Sequence, residues 1–247
     1  MKIKNILISQ PRPETEKSPY FDIEKKYKVK MDFRPFVQVE GISAKEFRKQ
    51  KIDICEHTGV IFNSRTSVDH FFRICEELKI QPKDTWKYFC ITEAIAHYLQ
   101  KYVVYRKRKI FFANGNFDEL LEQIKRFPDE NLLLPLSDVH KQEIPSKLTK
   151  ANIKYSKAIL HKTVSADFSD VKKLEYDLIV FYSPAGVASL FQNFPDFVQG
   201  DICIGAFGLK TAEAVESHNL RLDLKAPTPE APSITTAIDI FLSQKNK

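Results

Sequence analysis

Short runs rich in Val, Ile and Phe alternate along this chain with segments of helical period, and that alternation confines it to an α/β fold with parallel sheets. The runs that read as strands are 5–9, 29–39, 58–64, 86–92, 109–113, 131–137, 154–164, 177–183, 201–206 and 221–226. Between them, 67–79 places Val68, Phe71, Phe72, Cys75 and Leu78 on one helical stripe, and 117–127 does the same with Leu120, Leu121, Ile124 and Phe127. A closing helix over 233–244 opens on Ser233 as N-cap and turns Ile234, Ala237, Ile238 and Phe241 inward. One sheet of about ten parallel strands would be large for 247 residues, so two sheets of about four or five are expected.

Two extended segments, 34–43 and 154–164, are longer and more polar than the rest and lack a neat helix beside them. One full set of strands and helices lies between them, and the pieces outside make up another. The simplest topology is a domain inserted into a domain: 1–34 with 168–247, and 44–153, joined by linker strands 35–43 and 154–167. A repeat agrees with this reading. "IFNSRTSVDHFF" from Ile61 and "VFYSPAGVASLF" from Val180 match at one constant offset and fall in different proposed domains, which a duplicated α/β domain explains.

Composition narrows the function classes. With 43% hydrophobic and 28% charged residues the chain is ordinary for a globular protein, and a net charge of +6 fits an anionic ligand without requiring nucleic acid. Cys55, Cys75, Cys90 and Cys203 lie far apart without a CxxC pair and are expected as buried, reduced thiols. The six histidines lack metal-ligand spacing, so no metal is expected. Neither a signal-peptide core nor a run of about 20 apolar residues occurs, which makes the cytoplasm the expected address and a membrane role unexpected.

In an open parallel sheet ligands bind beyond the carboxyl ends of the strands, where helix N-termini offer amide donors. Ser64 and Arg65, and Ser183, Pro184, Ala185 and Gly186, occupy such corners, with Gly186 expected to let a ligand approach the backbone; the two serines read equally as plain N-caps. A third corner has a strand ending at Gly205, a loop with Gly208, and Lys210 with Thr211 opening a helix, which together suit a carboxylate or phosphate. The Walker A and Rossmann spacings are absent. Glu76 and Glu77 are expected on a solvated helix face. The basic run "RKRK", 106–109, reads either as an exposed turn or as an attractor of anions.

Taken together these corners resemble the uroporphyrinogen-III synthase family over nearly the whole chain. "VFYSPAGV" is similar to that family's strand–serine–helix corner, and "CIGAFGLKTAEAVESHNLRLDLKAPTPEAPSITTAI" is similar to its I-G-x-x-T-A segment, the A-x-x-P-[TS] that follows and the closing helix. The resemblance implies two flavodoxin-like domains joined by a two-stranded β linker, and a monomer without metal or cofactor. It also implies a carbon–oxygen lyase that closes hydroxymethylbilane to uroporphyrinogen III, inverting the last ring and losing water. The Ser64, Ser183 and Thr211 corners would then grip acetate and propionate groups across a cleft. Where the family carries a tyrosine on the second linker strand this chain reads "HKTV", so the resemblance assigns His161 to departure of the hydroxyl. In the inserted domain, "CITEAIA" and "PLSD" depart from the family's glycine-bearing corners. A noncatalytic tetrapyrrole or polycarboxylate binder, and an α/β enzyme acting on a phosphorylated small molecule, are the other readings.

Overall fold

The computed structural model describes residues 2–15 and 17–246. In chain order its strands are β1 (Asn5–Ile8), β2 (Lys30–Phe33), β3 (Val37–Gly41), β4 (Gly59–Phe62), β5 (Lys87–Cys90), β6 (Ile110–Phe112), β7 (Leu132–Ser137), β8 (Tyr155–Ser165), β9 (Leu178–Phe181), β10 (Cys203–Phe207) and β11 (Leu224–Ala226). The α-helices are α1 (Pro19–Tyr27), α2 (Ala44–Arg48), α3 (Arg65–Glu77), α4 (Glu93–Tyr98), α5 (Phe117–Ile124), α6 (Glu143–Lys150), α7 (Pro184–Asn193), α8 (Leu209–Ser217) and α9 (Ile234–Lys245). Two compact units result, one built from the chain up to Gln38 and from Val164 onward, the other from Val39–Thr163.

The first unit holds a parallel five-stranded sheet in the order β11-β10-β9-β1-β2. Ile6, Ile8, Met31 and Val180 pack on one face with α1 and α9, while Leu7, Ile179, Phe181 and Ile204 pack on the other with α7 and α8. Burial on both faces is why these strands read as unbroken apolar runs. The ends of the two crossing segments are pinned to α7. The Asn193 amide donates to Ser165 Oγ (2.8 Å) and to the Ala166 carbonyl (3.0 Å), and the Ser189 hydroxyl bonds Ser165 Oγ (2.6 Å) and donates to the Phe36 carbonyl.

The second unit has a six-stranded sheet in the order β3-β8-β7-β4-β5-β6. Strands β4 to β8 are paired in parallel, again with an apolar layer on each face. Gly59 opens β4 because a Cβ there would lie 2.8 Å from the Lys87 carbonyl oxygen and 2.9 Å from Leu132. Setting β9 against β4, both sheets run the same way: β10 matches β5, β11 matches β6, β1 matches β7 and β2 matches β8. In local numbering the first sheet is 2-1-3-4-5, the flavodoxin order, and the five parallel strands of the second, counted without the edge strand β3, are 3-2-1-4-5. The spatial arrangement is one and the same; the chain enters it at a different strand.

Several details differ from the expectations. The run 29–39 is two strands in different sheets, broken where Pro35 lacks an N–H for the ladder and Phe36 turns wholly into the core. The segment expected as the second linker strand is β8, which pairs with β7 from Tyr155 to His161 and neighbours β3 in the sheet. Cys55 is exposed rather than buried, while burial pushes the thiols of Cys75 and Cys90 up to about 12. Glu77 is engaged rather than merely solvated: it pairs with Arg73 and accepts from the Ala44 amide at the start of α2.

Candidate functional site

The two halves of the repeat build matching corners. Ser64 follows β4 with φ −158° and ψ 160°, and Ser183 follows β9 with φ −154° and ψ 153°. Each is an N-cap. Ser64 Oγ accepts from the Ser67 amide (3.0 Å) while Ser67 Oγ accepts from the Ser64 amide (3.2 Å), and Ser183 Oγ accepts from the Gly186 amide (3.1 Å). The cap fills donors that a ligand would otherwise use. What each corner leaves outward is its first helical turn: exposed Arg65, whose guanidinium lies 5.4 Å from the Tyr98 ring centroid, and exposed Pro184 and Ala185.

Two glycines of these corners are buried. Gly186 is buried, its amide donates to Ser183 Oγ, and a Cβ there would meet Phe181 at 3.6 Å and Phe36 at 3.9 Å, ordinary contact distances. Gly205 does not end its strand, since β10 continues to Phe207; a Cβ on it would come within 3.0 Å of Leu224 and 3.3 Å of Val180. The turn falls instead at Gly208, whose φ of 89° suits glycine and which opens α8 without any side-chain cap. Lys210 is exposed in that first turn, and Thr211 is buried beneath it.

His161 lies within β8, beside Ser137 at the carboxyl end of β7, on a cleft of about 430 Å³ whose other walls include Asn63, Ser64, Ile91 and His140. These residues follow β4, β5 and β7, so the cleft occupies the edge of the sheet where ligands of open α/β sheets sit. The "PLSD" departure has a physical content here. Although burial works against its charge, Asp138 is held below the usual carboxylate range by hydrogen bonds from the Ser137 hydroxyl (2.8 Å) and the amides of Thr163 (3.1 Å) and Val139 (2.8 Å). A carboxylate thus shapes the loop that glycine shapes in the family motif.

Only 8% of His161 is exposed, and its Nδ1 has no hydrogen-bond partner. Its ring stacks on that of His70 from α3, centroids 5.0 Å apart and planes 15° from parallel. Arg73 Nε donates to His70 Nδ1 (3.2 Å), and the same guanidinium donates to the carbonyls of Ile42 (2.7 Å) and Leu160 (3.3 Å). Because Nδ1 accepts, a neutral His70 carries its proton on Nε2. Sequence reasoning missed His70 and Arg73; the one available signal was their i, i+3 spacing on the helix expected over 67–79.

Burial lowers the basicity of both rings, and neighbouring positive charge adds to it: Arg73 beside His70, and His70 beside His161. Burial also lowers His57. Each imidazole thus resists protonation when folded but accepts it when unfolded near the ordinary value of about 6.5. Stability is complete above that value and declines as the pH falls below it toward the folded-state values. A thermal melting series from about pH 8 to about pH 5 is expected to show falling midpoints below about 6.5, with a shallower decline in His57→Gln.

The model of the family described as uroporphyrinogen-III synthase HemD matches residues 24–236. The chain belongs to the uroporphyrinogen-III synthase family. The uroporphyrinogen-III synthase of Saccharomyces cerevisiae is 24% identical over 142 residues, 52% of this chain and 52% of the yeast protein. The match therefore spans about half the length of that curated relative. A crystal structure of uroporphyrinogen-III synthetase from Helicobacter pylori aligns with a TM-score of 0.58 at 14% identity, over 98% of this chain and 100% of that one. That likeness supports the family's two-domain α/β fold. Among the described residues no cluster of three or more His, Cys, Asp or Glu is arranged to hold a metal ion, and no helix is long and apolar enough to cross a membrane.

Proposed function

We propose that this family member is an active uroporphyrinogen-III synthase, a cofactor-free lyase of tetrapyrrole biosynthesis that works as a monomer in the cytoplasm. It would close hydroxymethylbilane to uroporphyrinogen III with release of water. The observation that carries the reading is His161, nearly buried on a cleft at the strand ends with an unpartnered ring nitrogen; its correspondence to a tyrosine of the family rests on the sequence resemblance alone. Its ring assists the hydroxyl to depart as water, leaving an azafulvene cation that ring closure through a spiro intermediate consumes.

The remaining task is to hold a flexible polycarboxylate in one geometry, because closure without the enzyme lacks the inversion. The Ser64–Arg65 and Ser183–Ala185 turns and the uncapped start of α8 with Lys210 supply amide and cationic donors for its acetate and propionate groups. Gly186 and Gly205 are not among these donors.

Supplying hydroxymethylbilane and separating the products tests the reading. Type III isomer in proportion to added protein is expected; type I product alone refutes the catalytic reading. Lys210→Ala is expected to raise the Michaelis constant about five- to tenfold, the scale of one charge-assisted hydrogen bond, with a smaller change in turnover. The low basicity of His161 favours one other reading, a tetrapyrrole binder without turnover. Saturable substrate binding with only type I product would identify that case.

A further inference from the structure

The "PLSD" departure ends on a residue without a task in the proposed reaction, Asp138, which is exposed just past the end of β7. Across the ladder from it lies the stretch of β8 that carries His161. Leu136 opposes Ile159, yet the next pair is Ser137 with His161, so β8 holds one extra residue at this point. An extra residue of this kind breaks the ladder locally and re-aims a side chain. Ala158 and Leu160 pack in the layer that holds Val68 and Phe71 of α3, and Ile159 packs in the opposite layer. Strict alternation would set His161 on the side of Ile159. Its ring stacks instead on His70 of α3.

Asp138 closes the ladder around this bulge. Its amide donates to the His161 carbonyl (3.0 Å). In a regular parallel ladder its own carbonyl would then accept from the Thr163 amide, two residues further along β8. Here its carboxylate Oδ1 accepts that bond (3.1 Å), while also holding the Ser137 hydroxyl and the Val139 amide at 2.8 Å each. A charged acceptor makes the stronger bond, and it lets the main chain turn away after β7 without releasing β8. On the other side, Arg73 holds the strand one residue earlier, at the Leu160 carbonyl (3.3 Å). The charge counts as well: burial first, and His70 second, lower the basicity of His161, and Asp138 works against both.

We propose that Asp138 is the positioning residue of His161: with a carboxylate in place of a backbone acceptor, it fixes the bulge that turns the imidazole onto His70. Its part in the reaction rests on the proposed synthase activity, whereas the contact itself does not. The other titratable or charged groups around the ring are His70 and Arg73 on α3, His140 in the same loop, Lys141 and Glu143 on the cleft, and Glu40 on the neighbouring strand β3. All of these stay in place in the variants below.

Two substitutions separate the two parts of the role. Asp138→Asn keeps an acceptor for the Thr163 amide and removes the charge; Asp138→Ala removes both. The ring resonances of the six histidines are followed by NMR against pH in the intact protein, that of His161 being assigned by its absence in His161→Phe. In Asp138→Asn the His161 ring is expected to titrate at lower pH than in the wild type, with His57, His97 and His218 unmoved. In Asp138→Ala the Thr163 amide is expected to exchange about tenfold faster or more, the scale of one lost bond to a charged acceptor, and Asp138→Asn restores most of that protection. In turnover, both variants are expected to move the acid limb to lower pH with the Michaelis constant for hydroxymethylbilane little changed. An unmoved His161 titration in Asp138→Asn, unchanged Thr163 exchange in Asp138→Ala, or a common shift of all six histidines overturns the proposal. The NMR and exchange readouts need no turnover, so a wild type that yields only type I product refutes the synthase reading and leaves them to decide this one.

Discussion

Replacing His161 with phenylalanine is expected to lower the turnover of hydroxymethylbilane to the type III isomer by about 10²- to 10⁴-fold, the range typical for loss of a positioned acid or base. Phenylalanine retains a flat ring for His70 to stack upon, so the substitution removes proton chemistry with little change in packing. Burial comes first, and His70 second, in lowering the basicity of His161, while Asp138 opposes them. A protonated His161 is therefore a stronger acid than an ordinary imidazolium but a scarcer one at neutral pH. If the protonated ring acts, the rate rises as the pH falls through a value below about 6.5, and that limb disappears in His161→Phe. His70→Phe, which removes the neighbouring imidazole, is expected to move the limb toward higher pH. Restoring the family's residue with His161→Tyr is expected to recover most of the lost rate and to abolish the histidine limb. Wild-type turnover in His161→Phe would remove His161 from the mechanism.

The fold class could be read from the sequence because doubly covered parallel strands must be apolar throughout. "GVIF" and "LIVF", the cores of β4 and β9, announce themselves for that reason. The repeat was visible because a strand ending in phenylalanine and a serine that caps the next helix obey local rules. What escaped depended on tertiary contacts. Whether a glycine serves a ligand or a neighbour is invisible without its surroundings, and Gly205 sits tight against Leu224 and Val180. His161 could be singled out only through the family resemblance, and nothing local marks His70 as its ring partner. Arg73 ties α3 to the carbonyls of Ile42 and Leu160, residues distant in sequence, so that link too required the folded chain. The run 29–39 reads as one strand because its apolar pattern continues across Pro35, although the domain boundary expected after residue 34 falls in the gap between β2 and β3.

The second large effect concerns the phenylalanines of the repeat. Phe62 and Phe181 are both 0% exposed, two residues before their capping serines. Phe62 packs within 5.6 Å of Phe71 and near Phe72 and Tyr88, and Phe181 within 5.3 Å of Phe36. Truncating either to alanine removes a buried ring from a crowded layer and is expected to cost about 3–5 kcal/mol. At roughly 2–4 °C per kcal/mol for a chain of this size, the melting temperature falls by about 6–20 °C. Ser64→Ala and Ser183→Ala, which remove only a cap, are expected to cost about 1 kcal/mol each. Urea unfolding with unchanged slopes would measure all four losses on one scale. The order of the losses decides what the shared outline of the two corners is for. If the phenylalanines dominate, each corner is a core feature that happens to present a helix N-terminus, and substrate contacts fall to the exposed first turns at Arg65 and at Pro184 and Ala185. Equal losses for serine and phenylalanine would contradict that reading, because the cap hydroxyl would then be contributing far more than one local hydrogen bond.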